Sequence, residues 1–235
     1  MKKVSVIVFD LDDTLFLEHD FAVSGFRAAA AWLQKEMGIE GLEEICLARF
    51  NSGQRTKIFD DLVGQLNVTA GPDIVERLVD VYRNHSPDIS LTDDSVRYFD
   101  NAPKSCHHAL ITDGQGSTQM AKVRSLGLDR ILDCILCTDD WGLEYWKPHP
   151  RSFEAIERQF GSQGHALVYI ADNPVKDFVT PKARGWWTIQ VARPERVHVL
   201  TAPNEEHRAH ATIESLDFLE NCLTRLNQNY SSAST

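Results

Sequence analysis

The chain has 235 residues, 43% of them hydrophobic and 25% charged, which is enough apolar material for one substantial core with a smaller second unit. Its 34 acidic residues against 24 basic ones give a formal charge of −10, which repels polyanions and argues against a nucleic-acid partner. No apolar run approaches the ~18 residues needed to cross a bilayer, so no membrane span or membrane partner is expected.

The opening Met1-Lys2-Lys3 and the apolar run to Phe9 imitate a signal peptide, but Asp10 and Asp12 interrupt it and no small-residue cleavage site follows. A cytoplasmic protein is expected, with Cys46, Cys106, Cys134, Cys137 and Cys222 as reduced thiols. Cys134 and Cys137 are spaced C-x-x-C, yet Ile131 to Cys137 reads as a buried strand and no second cysteine pair completes a zinc site.

In chain order, Val4 to Phe9 is a continuous Val/Ile run suited to the middle of a parallel sheet. Helical patterns then dominate from Phe21 to about His85: one ending at Met37-Gly38, then Leu42 to Phe50, Arg55 to Leu66 and Pro72 to Tyr82. After Pro87 strands and helices alternate. Strands are expected at His108 to Thr112, Ile131 to Cys137, Ala166 to Ala171 and Trp186 to Val191. Helices are expected at Ser117 to Leu126, Pro150 to Phe160, about Pro174 to Ala183, and Ile213 to Leu226. This order predicts an α/β fold, a doubly wound, Rossmann-like parallel sheet with an inserted helical bundle. The expected division is a catalytic core of residues 1–16 and 87–227, a helical cap of residues 17–86, and a polar, disordered tail of residues 228–235.

In such a sheet ligands bind beyond the carboxyl ends of the strands. There the chain places Asp10-Leu11-Asp12-Asp13-Thr14, Thr112-Asp113-Gly114 and Asp172-Asn173, with Lys147 in a nearby loop. Carboxylates crowded together raise each other's pKa values, and a hard divalent cation such as Mg2+ removes the conflict. The set suits phosphoryl transfer, with Asp10 as nucleophile and Asp12 as proton donor and acceptor. Thr112 and backbone amides, including those of Leu11, Asp113 and Gly114, would bind the phosphoryl oxygens, and Lys147 supplies positive charge. Asp13 reads as a cap for the following turn.

These residues resemble the haloacid dehalogenase superfamily. Asp10 to Thr14 matches its DxDxT motif after a hydrophobic strand, Thr112 its second motif, Lys147-Pro148 its third, and Asp172 with Asp177 its acidic fourth. The resemblance implies an aspartyl phosphate on Asp10 and a general acid/base role for Asp12. It also implies magnesium held by the side chains of Asp10 and Asp172 and the backbone carbonyl of Asp12, with Asp177 acting through water or by orienting Lys147. Dehalogenase members replace the second aspartate and dispense with the metal, so retention of Asp12, Asp172 and Asp177 points to phosphate chemistry.

The expected partner is a small phosphomonoester, a sugar phosphate or a nucleotide-like one, with Arg55 in the helical insert as a candidate substrate contact. A phosphomutase of the same superfamily, or a binding or regulatory protein on the same scaffold, are the alternatives. Oligomeric state is left open by the sequence.

Overall fold

The computed structural model describes residues 4–60 and 73–233, with side chains as far as residue 228. Six strands form one wholly parallel sheet in the order β3-β2-β1-β4-β5-β6. They are β1 (Val6–Phe9), β2 (His107–Thr112), β3 (Cys134–Cys137), β4 (Leu167–Ala171), β5 (Trp187–Val191) and β6 (Ala211–Ile213). Among the described residues the α-helices are α1 (Glu18–Met37), α2 (Leu42–Asn51), α3 (Ile74–Asn84), α4 (Asp93–Asp100), α5 (Gly116–Ser125), α6 (Arg151–Phe160), α7 (Val179–Ala183) and α8 (Leu219–Ala233). None of the described helices is long and apolar enough to cross a membrane.

The apolar run in β1 follows from its place in the middle of the sheet. Val6 and Val8 face a cluster with Ala109, Ile111 and Tyr169 that α6 closes with Phe153 and Ile156. On the opposite face Phe9 meets Tyr98 and Phe99 of α4 edge-on, at 5.4 and 5.7 Å between ring centroids. With both faces covered, alternation is lost and the strand reads as uniformly hydrophobic.

The chain divides into two compact units, Met1–Glu18 with Ser90–Thr235, and His19–Ile89. The junctions fall at 18–19 and 89–90 rather than at the expected 16–17 and 86–87. Inside the second unit, Phe26 of α1 sits among the rings of Phe50, Phe59 and Tyr82, at 5.9, 6.0 and 5.2 Å. Gly25 makes that packing possible, because a Cβ there would lie 2.5 Å from the Tyr82 ring.

Several expected elements differ. Residues 54–60 are bend and turn instead of the start of a helix. The Gln54 amide bonds the carbonyls of Thr56 and Lys57, and Lys57 has φ 55°, which no helix accepts. Residues 61–66 of that expected helix, and Pro72 of the next, lie outside the described residues. The helix expected from Ile213 is divided: Ala211–Ile213 pairs with β5, and the chain turns helical only after Ser215 caps Asp217 N at 3.1 Å. The expected disordered tail from Gln228 is helical as far as Ala233, since α8 continues its backbone bonding through the polar stretch. Helix α4 was not anticipated. Cys134 and Cys137 are free, and their three-residue separation on β3 directs them to opposite faces, which leaves no paired site.

Candidate active site

Strand pairing decides which carboxylates meet. β1 lies between β2 and β4 with Phe9 opposite Leu110 and Ile170, so the residues following β1 and β4 emerge side by side. The Asp10 amide continues the ladder, donating to the Ile170 carbonyl at 2.9 Å. This is also where the strand order reverses direction, the usual ligand crevice of an open α/β sheet.

Asp10, Asp172 and Asp177, all buried, each offer an oxygen within 4.8 Å of the others. Lys147 enters the same cluster, with its Nζ 2.7 Å from Asp10, 2.9 Å from Asp177 and 2.9 Å from the Tyr169 hydroxyl. Burial pushes the Asp10 carboxyl up to about 6, more than its pairing with Lys147 brings it down. Burial, then the charges of Asp10 and Asp177, push Asp172 up to about 9. Burial opposes the charge on Lys147, but Asp10 and Asp177 outweigh it and hold the ammonium well above its ordinary range. The cluster is short of positive charge, and its donors are all hard carboxylate oxygens. That donor set fits a divalent cation.

Asp12 is directed elsewhere. Its Oδ1 lies 2.6 Å from Lys122 Nζ and its Oδ2 accepts from Gln119 Nε2 at 2.9 Å, both partners on α5. Its carboxylate is therefore outside the three-aspartate cluster; only its backbone carbonyl was expected to reach a metal. Gln119 Nε2 also donates to Thr112 Oγ1 at 2.6 Å, tying the end of β2 to Asp12. Asp13 has φ 53°, and its carboxylate accepts from Glu18 N at 2.9 Å and Val197 N at 2.7 Å, consistent with a cap. Glu18, at the start of α1, has its carboxyl raised to about 7 by burial and then by the nearby charge of Asp12.

The Asp113 carboxylate is fully engaged. It accepts from Thr138 Oγ1 at 2.8 Å, Lys147 N at 3.1 Å and Lys176 Nζ at 2.8 Å. Burial acts upward on it, but Lys147 and Lys176 win and hold it below the usual carboxylate range. Its carboxylate thus fixes the Lys147 loop, whereas the sequence suggested only a backbone amide contribution. Gly114 turns the chain with φ 116°, and a Cβ there would press within 3.2 Å of the Gln119 side chain. Leu11 is completely buried between the two aspartates in sequence. Arg55 belongs to the second unit, where its exposed guanidinium bonds the Phe50 and Gln54 carbonyls and lies 4.2 Å from the Phe50 ring.

Four polar residues of the site were not found from the sequence: Gln119, Lys122, Thr138 and Lys176. A glutamine and lysine three apart on a short helix share one face, but nothing in the sequence indicates that this face points at Asp12. Arg193, beyond β5, was also missed. Its Nε and Nη2 donate to the Thr14 carbonyl at 3.2 and 2.8 Å while Nη1 pairs with Asp94, so it holds the loop after β1 from behind.

Comparisons with known proteins agree with this fold. A glyceraldehyde 3-phosphate phosphatase from Methanocaldococcus jannaschii is 23% identical over 228 residues, covering 92% of this chain and 96% of the relative. The pyrophosphatase PpaX of Halalkalibacterium halodurans is 22% identical over 73% of this chain and 76% of its own. Among solved structures, the HAD-hydrolase YfnB from Bacillus subtilis, bound to magnesium, superposes with a TM-score of 0.65 at 18% identity, over 94% of this chain and 99% of that one. The family model described as haloacid dehalogenase-like hydrolase matches residues 7–191, which take in every aspartate and lysine of the site. The chain belongs to the haloacid dehalogenase-like hydrolase family.

Proposed function

We propose that this hydrolase is a magnesium-dependent phosphatase of small phosphomonoesters that works through an aspartyl phosphate on Asp10. The observation that carries the reading is the separation of two carboxylates only two residues apart. Asp10 sits with Lys147, Asp172 and Asp177, while Asp12 is held by Lys122 and Gln119. In this reading Asp10 stands beside an ammonium that can neutralise phosphoryl oxygens and carboxylates that suit a divalent cation, while Asp12, outside that cluster, handles protons. The names of both curated relatives describe cleavage of phosphate bonds, which supports the same class of substrate.

In this reading the Asp10 carboxylate attacks phosphorus, and the bond to the leaving oxygen breaks as Asp12 delivers a proton to it. Asp12 then takes a proton from water, whose oxygen attacks the phosphoryl group, so that inorganic phosphate leaves and Asp10 is restored. Lys147 stabilises negative charge at the phosphoryl oxygens, and Thr112 with the amides around Leu11, Asp113 and Gly114 orients them. Magnesium held by Asp10 and Asp172, with Asp177 beside them, would supply charge neutralisation for the carboxylates and the phosphoryl group. Asp177 also anchors Lys147 and accepts from Asn173 N at 3.0 Å.

Purified protein screened with magnesium against sugar phosphates, nucleotides and glyceraldehyde 3-phosphate tests the proposal. Release of inorganic phosphate that stops with EDTA and returns with magnesium is expected. Calcium should inhibit, because its larger and looser coordination spoils the in-line arrangement. An isomeric sugar phosphate without free phosphate would identify a mutase, and full activity in chelated buffer would remove the metal.

A further inference from the structure

We propose that Lys122 and Gln119 are positioning residues that aim the Asp12 carboxylate at the leaving oxygen. The inference rests on the reading of Asp12 as the proton donor, and deepens it. Asp12 is a short side chain on the loop after β1, partly open to solvent, and a carboxylate there has rotational freedom of its own. Helix α5 removes that freedom. One carboxylate oxygen meets the Lys122 ammonium at 2.6 Å and the other the Gln119 amide at 2.9 Å, so both ends are fixed.

The arrangement is costly in ways a surface pair is not. The Lys122 side chain is only 6% exposed, and burying an ammonium requires a close partner. Its Nζ also lies over the Phe16 ring, 5.7 Å from the centroid, a second attraction for the buried charge. Gln119 is nearly fully buried, and its amide nitrogen is shared between Asp12 and Thr112 Oγ1. Lys122 does not serve the Asp10 cluster, where Lys147 is the ammonium at Asp10 and Asp177, because its own bond goes to Asp12. What the Lys122–Gln119 fork adds is direction, and a proton donor misplaced by about an ångström can lose about a hundredfold.

The test compares leaving groups. An alkyl leaving oxygen needs a proton in the transition state, whereas p-nitrophenolate departs readily without one. Single-turnover release of the alcohol or phenol would be measured with glyceraldehyde 3-phosphate and p-nitrophenyl phosphate, using wild type, Asp12→Asn, Lys122→Met and Gln119→Leu. The loss in each α5 variant should be at least about tenfold greater on the alkyl ester than on the aryl ester, in the direction shown by Asp12→Asn. Lys122→Arg, which keeps the charge and donors, should recover part of the alkyl rate. Equal losses on both esters in folded variants would overturn the proposal in favour of a structural role, as would no loss on either. If Lys122→Met fails to fold, Gln119→Leu decides by the same ratio. If Asp12→Asn itself shows no preference between esters, the assignment of Asp12 as acid fails and the proposal falls with it. An α5 failure beside a selective Asp12→Asn leaves that assignment standing.

Discussion

At the scale of single residues, the two aspartates of the first loop should fail differently. Asp10→Asn replaces the carboxylate proposed as nucleophile with an amide and should abolish turnover while leaving the melting curve close to wild type. Asp12→Asn keeps the phosphate-binding cluster and should lower the rate on an alkyl ester by about 10²–10⁴, the usual worth of general acid–base catalysis. Steady-state kinetics on the two purified variants checks both. These residues were legible because each ends or follows an uninterrupted apolar run, and a carboxylate at the tip of a buried strand has few structural explanations. Lys122 and Gln119 were not legible. A lysine on a short helix reads as solvated until the sheet shows what the helix faces, and only then does its burial against Asp12 become visible. Asp113 lay between these cases. Its position beside Thr112 was evident, but its engagement with Thr138, the Lys147 amide and Lys176 depends on loops 25 to 63 residues away.

At the scale of elements, the loop carrying Asp10 is braced by α4 and the segment after β5. Asp94 in the first turn of α4 pairs with Arg193 Nη1 at 2.9 Å and accepts from Leu216 N at 2.6 Å, while Arg193 holds the Thr14 carbonyl. Burial acts upward on the Asp94 carboxyl, but hydrogen bonds from Thr92, Arg193 and Leu216 outweigh it and bring it down to about 2. A carboxyl lowered in the folded state stabilises the fold above its ordinary range, and that contribution disappears as pH falls toward the folded value. Asp94→Asn should therefore cost about 3–5 kcal/mol near neutrality, the usual penalty for breaking a buried pair. The gap to wild type should narrow as pH falls from about 4 to about 2. Urea unfolding across that range would show it, and a gap independent of pH would mean the ion pair is not its source. The main strands could be read from their apolar runs, because β1, β4 and β5 are covered on both faces. Helix α4 and strand β6 could not. The first is only eight residues long and mostly polar, and the second is three residues long and is defined only by its pairing with β5.

At the scale of the whole molecule, folding brings carboxylates from residues 10, 172 and 177 together, a cost that a bound divalent cation would relieve. If magnesium binds the folded state alone, it should stabilise the protein by about 2.7 kcal/mol at a hundredfold excess over its dissociation constant. Scanning calorimetry should show a rising melting temperature with added magnesium in wild type and a much smaller rise in Asp172→Ala. The central claim, covalent catalysis by Asp10, is tested most directly by acid-quenching a single turnover and mapping the phosphorylated peptide by mass spectrometry. The account predicts one phosphoryl group on the peptide carrying Asp10, trapped in greater yield in Asp12→Asn if water attack is slowed more than phosphoryl transfer, and absent in Asp10→Asn. Phosphate release at the wild-type rate from Asp10→Asn, or turnover with the label on another residue, would contradict it.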